Sequence, residues 1–461
     1  MRPALRSSLI LLLLAGCAVQ PKYERPAVEL PESWKQAAPR FAEDGRWWRV
    51  YGDASLEELI EESFRSNADL AIAAARVEEA RGVLGEARSF LFPAIDAQGS
   101  ASRQQISTRT AVAPPGIPRE HSTYRGTLNL SYEVDLFGRL RSGAEAARAE
   151  LAANEAAREA VLLALAAQVA KSYFALRSFE QQVLLTRETL RLREDALRLQ
   201  RRRRQAGVIG DYELRQLEAE AAAARAQLPG LEQAREREEV ALQVLLGRSA
   251  REVFASSVKT TAVQEEAPGA PVLPQGMPSE LLLRRPDLVE AERRLAAANA
   301  RVAVARAEVF PSIALTAALG SESAALSNLF SSGAGLWSVA AALTQPIFSA
   351  GRTQARSAAA EARERALLAQ YQQAIRNAFG EVRSALVAQT RARESYDAES
   401  ERAGALSDTL RLARLRYDNG IASQLEVLDA ERGLLAARIA RIEALRAHRA
   451  AVADLFRALG G

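Results

Sequence analysis

Cysteine, histidine and methionine are nearly missing from this chain. One cysteine (Cys17), two histidines (His121 and His448) and two methionines occur in 461 residues. That inventory cannot build a disulfide, a Cys/His metal cluster or a Cys–His nucleophile pair within one chain. Catalysis would have to rest on carboxylates or hydroxyls, and the acids on the helical segments stand in no recognisable catalytic context. A ligand role for His121 or His448 has no partner residues to complete it. Lysine is scarce too, with arginine in its place, a bias that carries no mechanism. The charge balance is also unremarkable in sign: 61 basic against 57 acidic side chains, a formal net charge of +4. Removing Arg2 and Arg6, which lie in a segment expected to be cleaved, brings the chain close to neutrality, so nucleic acid is excluded as a partner. What remains is 48% hydrophobic and 26% charged, enough for a substantial buried core.

The N-terminus reads as an address. Arg2 and Arg6 precede an apolar run, Leu9–Leu14, far too short to span a bilayer as a helix. Charged start, apolar middle and small-residue exit are the anatomy of a secretory signal over residues 1–16. Leu14-Ala15-Gly16-Cys17 resembles a bacterial lipobox, in which the cysteine is lipidated and becomes the first residue. Several acyl chains, each contributing about 0.8 kcal/mol per buried CH₂, hold such a protein at a membrane surface. Ala18, where an aspartate would retain a lipoprotein at the inner membrane, implies the outer membrane. Covalent lipid on Cys17 is the sole non-protein group expected, with no cofactor and no metal.

One unit is written twice. Asn67-Ala68-Asp69-Leu70 faces Arg285-Pro286-Asp287-Leu288, and Phe92-Pro93 faces Phe310-Pro311, at an offset of 218. The offset then becomes 213, relating Gly138-Arg139 to Gly351-Arg352, Gly207-Val208 to Gly420-Ile421, Glu218 to Glu431 and Leu246-Gly247 to Leu459-Gly460. The organisation that follows is a lipidated N-terminal segment (17–52), a first repeat (53–257), a proline-rich linker (258–279) with Pro268, Pro271, Pro274 and Pro278, and a second repeat (280–461).

Each repeat carries a very long helix. Residues 144–206 contain neither glycine nor proline, and Leu162, Val169, Leu176, Val183, Leu190 and Leu197 recur every seven positions, a coiled-coil seam. In the second repeat Gly380 and Gly404 interrupt the pattern. Shorter helices are predicted over about 54–88, 212–246, 280–308 and 423–458. Gly207 and Gly420 read as turns at the tips of helical hairpins. Between the helices the period changes to two. Tyr124, Gly126, Leu128, Leu130, Tyr132 and Val134 alternate with polar residues, and Trp337, Val339, Ala341 and Leu343 repeat the pattern. Weaker alternation follows each Phe-Pro. Two β-hairpins result, about 93–137 and about 311–347, four strands in all.

Strands with one apolar and one polar face suit a half-buried soluble sheet or a barrel with lipid outside and water inside. In hydrocarbon a sheet must close. Four strands are too few, so the membrane reading requires identical chains to supply the rest. Two other readings compete: a periplasmic coiled-coil adaptor or structural lipoprotein, which would show one hairpin flanked by soluble β domains, and a surface enzyme, for which no catalytic context exists.

The lipobox, Trp47-Trp48 before Leu56 and Leu59, Asn67-Ala68-Asp69-Leu70, Arg284-Arg285-Pro286-Asp287-Leu288 with Glu292, Ala298-Asn299-Ala300 and Phe310-Pro311-Ser312 resemble the TolC-like outer-membrane efflux factors, in the lipoprotein (NodT-type) branch serving RND pumps. The resemblance covers the whole mature chain. It implies a mainly α chain with a transmembrane β part, its two repeats of coiled-coil helices and β-hairpins trimerising into a 12-stranded β-barrel and a periplasmic α-barrel. It further implies a homotrimer in outer-membrane lipid, a periplasmic adaptor protein and an inner-membrane RND transporter as partners, and a passive exit duct for small molecules or ions that catalyses no reaction.

Tyr417, Leu425, Glu426, Asp429 and Arg432 match the family's pattern around its periplasmic constriction and are the gate candidates. Spacings of four and three place Leu425, Asp429 and Arg432 on one helix face. Ser423 and Glu426 also have capping-box spacing, and Asp429 with Arg432 also reads as a solvated pair. At the first tip Asp211, Tyr212, Arg215 and Glu218 stand in corresponding places, with Gln216 where the second repeat has Asp429. Gly207, Gly420, Arg201 and Arg204 are candidates for adaptor docking, the arginine run 201–204 being equally a solvated helix end stabilised by the dipole. Trp337 and Tyr124 fit an aromatic girdle, whereas Trp47, Trp48 and Tyr51 fit packing against the helical body.

Overall fold

The computed structural model describes residues 23–26, 45–107, 109, 118–255, 257–258, 260 and 284–461. The expected signal segment, Cys17 and nearly all of the linker 258–279 lie outside the described residues. The described chain begins with a 3₁₀ turn, Trp47–Tyr51, and continues as α1 (Ala54–Ser66), α2 (Ala68–Ser89), β1 (Ala94–Gln105), β2 (Glu120–Val134), α3 (Arg139–Gln205), α4 (Asp211–Leu245) and the short α5 (Ala250–Ala255). Then come α6 (Pro286–Ala307), β3 (Ser312–Ser323), β4 (Gly335–Thr344), α7 (Arg352–Asp418) and α8 (Gln424–Leu459).

Helices α3 and α7 each run for 67 residues, about 100 Å at 1.5 Å per residue. They begin and end at the same repeat positions, 213 apart. The seam of α3 is buried at Val169, Leu176, Val183 and Leu197. Gly380 and Gly404 do not interrupt α7: a glycine costs roughly 1 kcal/mol in a helix interior, too little to break one held along its length by packing. The helix expected over 54–88 is in fact two. Asn67 separates them, its side-chain Oδ1 accepting from the backbone N–H groups of Asp69 (2.9 Å) and Leu70 (3.2 Å) to cap α2.

The chain forms two compact units, each drawn from both repeats. The first, which takes in Arg76–Glu155 and Glu290–Gln372, holds all four strands. They form one antiparallel sheet in the order β1-β2-β3-β4. The register places Leu128 opposite Ala97 and Leu319, and Leu319 opposite Trp337. Partners in an antiparallel ladder share a face. One face is therefore a continuous apolar band that includes Ile95, Leu128, Leu130, Leu315, Leu319, Trp337, Val339 and Leu343. The other carries Gln98, Asn129, Ser131, Thr316 and the Arg125–Glu322 pair (3.6 Å). At the foot of the sheet Phe137 stacks on Phe310, centroids 4.7 Å apart.

The second unit, Val28–Ala75, Ala156–Val289 and Gln373–Gly461, contains the main aromatic core. Trp47 and Trp48 are buried in it, Trp47 stacking on Phe456 at 5.4 Å. Here the repeat reappears as packing. Asn67 donates to the carbonyl of Leu245 (2.9 Å), and its counterpart Arg285 donates to the carbonyl of Ala458 (3.1 Å). Beside these contacts, Gly247 lies against the backbone of Ser66 and Asn67, and Gly460 against Arg284 and Arg285. The two copies thus join their short helices through the same glycine contact.

Candidate functional site: the hairpin tips and the uncovered sheet

At each tip the long helix ends on a glycine in the left-handed region, Gly207 at φ +73° and Gly420 at φ +71°. The following N–H groups, of Val208 and Ile421, donate back to the carbonyls of Arg203 and Arg416, both at 2.9 Å, closing the turns as a helix C-terminus requires. Leu197, Leu217, Ala221 and Leu428 form a small core beneath them. Val208 and Ile421 themselves remain exposed.

The polar side chains at the tips form connected pairs. Arg201 meets Glu218 at 3.1 Å, and the equivalent Arg414 meets Glu431 at 2.7 Å. Arg204 grips Asp211 through two contacts of 2.6 and 3.0 Å, which hold the Asp211 carboxyl below the ordinary range. Glu218 is likewise lowered, by hydrogen bonds from Arg201 and then Arg215. The second repeat has Tyr417 and Gln424 where the first has Arg204 and Asp211, so this pair has no counterpart. The Tyr417 hydroxyl instead accepts from Arg203 Nη1 (3.2 Å) and Gln200 Nε2 (3.5 Å) of the first repeat. Arg201 and Arg204, expected as docking groups, are both engaged within their own tip.

Asp429 and Arg432 pair at 2.8 Å. Arg432 also approaches Glu220 Oε1 at 3.7 Å, and Glu220 Oε2 is held at 3.1 Å by Arg193. The Arg193 side chain is only 5% exposed and also donates to the Glu220 carbonyl oxygen at 2.9 Å. A charge chain Asp429–Arg432–Glu220–Arg193 thus links the two repeats, burial strengthening its inner end. Leu425 is exposed. The capping box at Ser423 and Glu426 does not form: the Ser423 side chain makes no cap hydrogen bond, and Glu426 pairs with Arg416 at 3.6 Å. Glu220 and Arg193 were not among the expected residues. Their one sequence signal is a difference between repeats, since the corresponding positions are Gly433 and Leu406, which pack together without charge.

The second feature is the sheet. None of the described residues covers its apolar face: Leu319 is 64% exposed, Leu343 67%, Val339 75% and Trp337 77%. Strands β1 and β4 are both edges. A band this apolar, with two open edges, is unstable in water, and strands of 10–15 residues have the length that crosses a bilayer when tilted. Among the described residues no group of three or more metal-ligating side chains occurs.

Long coiled hairpins joined to an amphipathic sheet that is unfinished within one chain define the subunit of an outer-membrane channel. Residues 59–248 and 277–461, one repeat each, match the family model described as outer membrane efflux protein, and the chain belongs to that family. It is similar to the cation efflux system protein CusC of Escherichia coli O6:H1, 34% identical over 459 residues, covering 98% of this chain and 97% of that one. It is similar also to the toluene efflux pump outer membrane protein TtgC of Pseudomonas putida, 34% identical, covering 97% and 93%. Among solved structures, the outer membrane channel CmeC of Campylobacter jejuni superposes with a TM-score of 0.89 at 26% identity, covering 96% and 95%. The protein is an outer-membrane efflux channel, and these relatives are named as efflux and channel proteins.

Proposed function

We propose that three copies of this chain close their sheets into one 12-stranded barrel in the outer membrane, and that the helical repeats carry the duct into the periplasm. There it receives cargo from an inner-membrane RND pump through an adaptor protein. The duct is passive and catalyses no reaction. The uncovered apolar face of the sheet carries this reading, because lipid is the one surrounding in which that band is satisfied. Strand direction supports closure: β1 leaves the foot of the sheet and β4 returns to it, so β4 of one copy meets β1 of the next antiparallel. Acyl chains on Cys17 hold the N-terminus at the same membrane.

In this assembly Tyr417, Leu425, Glu426, Asp429 and Arg432 form rings at the periplasmic end. The Asp429–Arg432–Glu220 contacts favour the closed state, and the adaptor, docking on the exposed turns at Gly207 and Gly420, releases it by binding the open state better. A ring of Asp429 carboxylates favours cations over anions. The names of the relatives include both cations and toluene as cargo, consistent with a duct whose selectivity is set upstream. Conductance in planar bilayers tests the gate. Asp429→Ala and Arg432→Ala are each expected to raise it, and Glu220→Gln to raise it less. Unchanged conductance in all three removes these residues from the gate.

A further inference from the structure

Two charges at the foot of the sheet stand apart from the pairs around them. Arg352, the first residue of α7, is exposed and lines a cavity together with three acids, Glu133, Asp135 and Glu308. Each of those acids already holds another arginine: Glu133 pairs with Arg139 (2.7 Å), Asp135 with Arg141 (3.2 Å) and Glu308 with Arg356 (2.7 Å). Asp96, exposed on the edge strand β1, stands opposite Asn129 and so on the polar face. Among the described residues neither Arg352 nor Asp96 has a hydrogen-bond or ion-pair partner.

The repeat indicates what each lacks. Advancing β1 by 218 and β2 by 213 turns the first hairpin into the second with its register intact: Ala94 opposite Ser131 becomes Ser312 opposite Thr344. The same shifts carry the β2–β3 pairing onto the pairing of β4 with β1 of a neighbouring copy. Ser131 opposite Thr316 becomes Thr344 opposite Gln98, and Val134 opposite Ile313 becomes Ile347 opposite Ile95. Apolar residues stay on the apolar face, which a slip of one residue would reverse. Glu133 opposite Ala314 becomes Pro346 opposite Asp96. The acid has crossed to the facing strand, whereas the arginine has stayed. Arg139 and Arg352 each open a helix directly after a left-handed glycine, Gly138 at φ +78° and Gly351 at φ +81°. Opposed Cβ atoms in a ladder lie about 4.5–5.5 Å apart, so an arginine placed to grip a side chain on one strand also reaches its opposite number.

We infer that, in the proposed trimer on which this reading rests, Arg352 of each copy pairs with Asp96 of the partner subunit, and that the pair fixes the register in which copies join. Within a chain a turn sets hairpin register, but no turn connects β4 to the next β1. Packing marks a two-residue slip only weakly, because β4 reads Val339-Ala340-Ala341-Ala342-Leu343. A charge pair at one level rejects that slip.

Asp96→Arg and Arg352→Asp are each expected to lower the yield of heat-resistant trimer refolded into liposomes several-fold, and their combination in one chain to restore most of it. No loss in either single variant, or a loss that the combination does not repair, overturns the pair. Register is read by oxidative cross-linking between copies. Gln98→Cys with Thr344→Cys should link them, and Ser100→Cys with Thr344→Cys, two residues out, should do so only once Arg352→Gln is added. Each single-cysteine variant, which keeps Cys17, gives the background. Equal linking by both pairs in the parent overturns the register, and a pattern indifferent to Arg352→Gln overturns the role of the pair in setting it. A trimer in native mass spectrometry that forms neither link overturns the register while the trimer stands. Single chains alone overturn the trimer and the pair together.

Discussion

Gly247 and Gly420 have the same backbone, φ +71°, but different surroundings. A Cβ on Gly247 would sit 2.0 Å from the Ser66 carbonyl oxygen, whereas at Gly420 it meets nothing within 4 Å. Gly420→Ala should therefore cost only the left-handed strain, about 1 kcal/mol. Gly247→Ala adds a backbone collision, and its cost should exceed roughly 3 kcal/mol. Urea unfolding of the two variants followed by circular dichroism checks the difference; equal costs would mean that the short helices do not meet at Gly247. His448 makes a second prediction at this scale. It is fully buried, neither ring nitrogen having a partner among the described residues, and burial, then Arg393 and Arg449 against an opposing Asp397, bring its pKa down to about 4. The unfolded chain, titrating near 6.5, takes up a proton that the folded chain refuses. Stability is therefore complete above pH 6.5 and falls as pH drops towards 4. At pH 5 the loss reaches about 2 kcal/mol. His448→Leu should remove that part of the acid sensitivity, seen as a smaller shift in Tm between pH 7 and pH 5.

At the scale of the element, the sheet makes a two-sided prediction. Leu319 and Asn129 lie on adjacent strands and opposite faces. Leu319→Arg places a charge on the proposed lipid face and should cost about 2–4 kcal/mol near the bilayer midplane. Asn129→Arg, on the polar face, should change little. The yield of heat-resistant oligomer refolded into liposomes distinguishes them, and equal tolerance would argue for a sheet that never enters lipid. These strands and α3 were legible because their periods are local, alternate residues for one and seven-residue recurrence without proline for the other, whereas in α7 the seam is weaker and Gly380 and Gly404 were read as interruptions that the helix does not show. The break at Asn67 was not legible: its cap on Asp69 and Leu70 is local, but the Leu245 carbonyl that holds the other end of its amide lies far along the chain. Apart from its contrast with Gly433 in the other repeat, nothing marked Glu220. Its neighbours Arg193 and Arg432 come from different repeats, and no spacing within α4 announces them. Ser423 and Glu426 failed in the opposite way: the local spacing was right, and Arg416 took the glutamate.

For the whole molecule, the decisive quantity is how many copies close the wall. Each contributes four strands beginning and ending at the foot of the sheet, so any number of copies closes antiparallel and parity does not choose among them. Diameter does. Two copies give eight strands, a barrel whose interior is filled by its own side chains. Yet the face that would point inward carries Gln98, Asn129, Ser131, Thr316 and the Arg125–Glu322 pair, polar groups that need water rather than a packed core. Three copies are the smallest closure that leaves water inside. Native mass spectrometry of the protein extracted in mild detergent is expected to show a single species of three chains, still intact when the tip pair is removed by Asp429→Ala, because the sheet rather than the tip closes the ring. A two-chain species with the sheet folded would leave no lumen for cargo, and the exit-duct reading would fall with it.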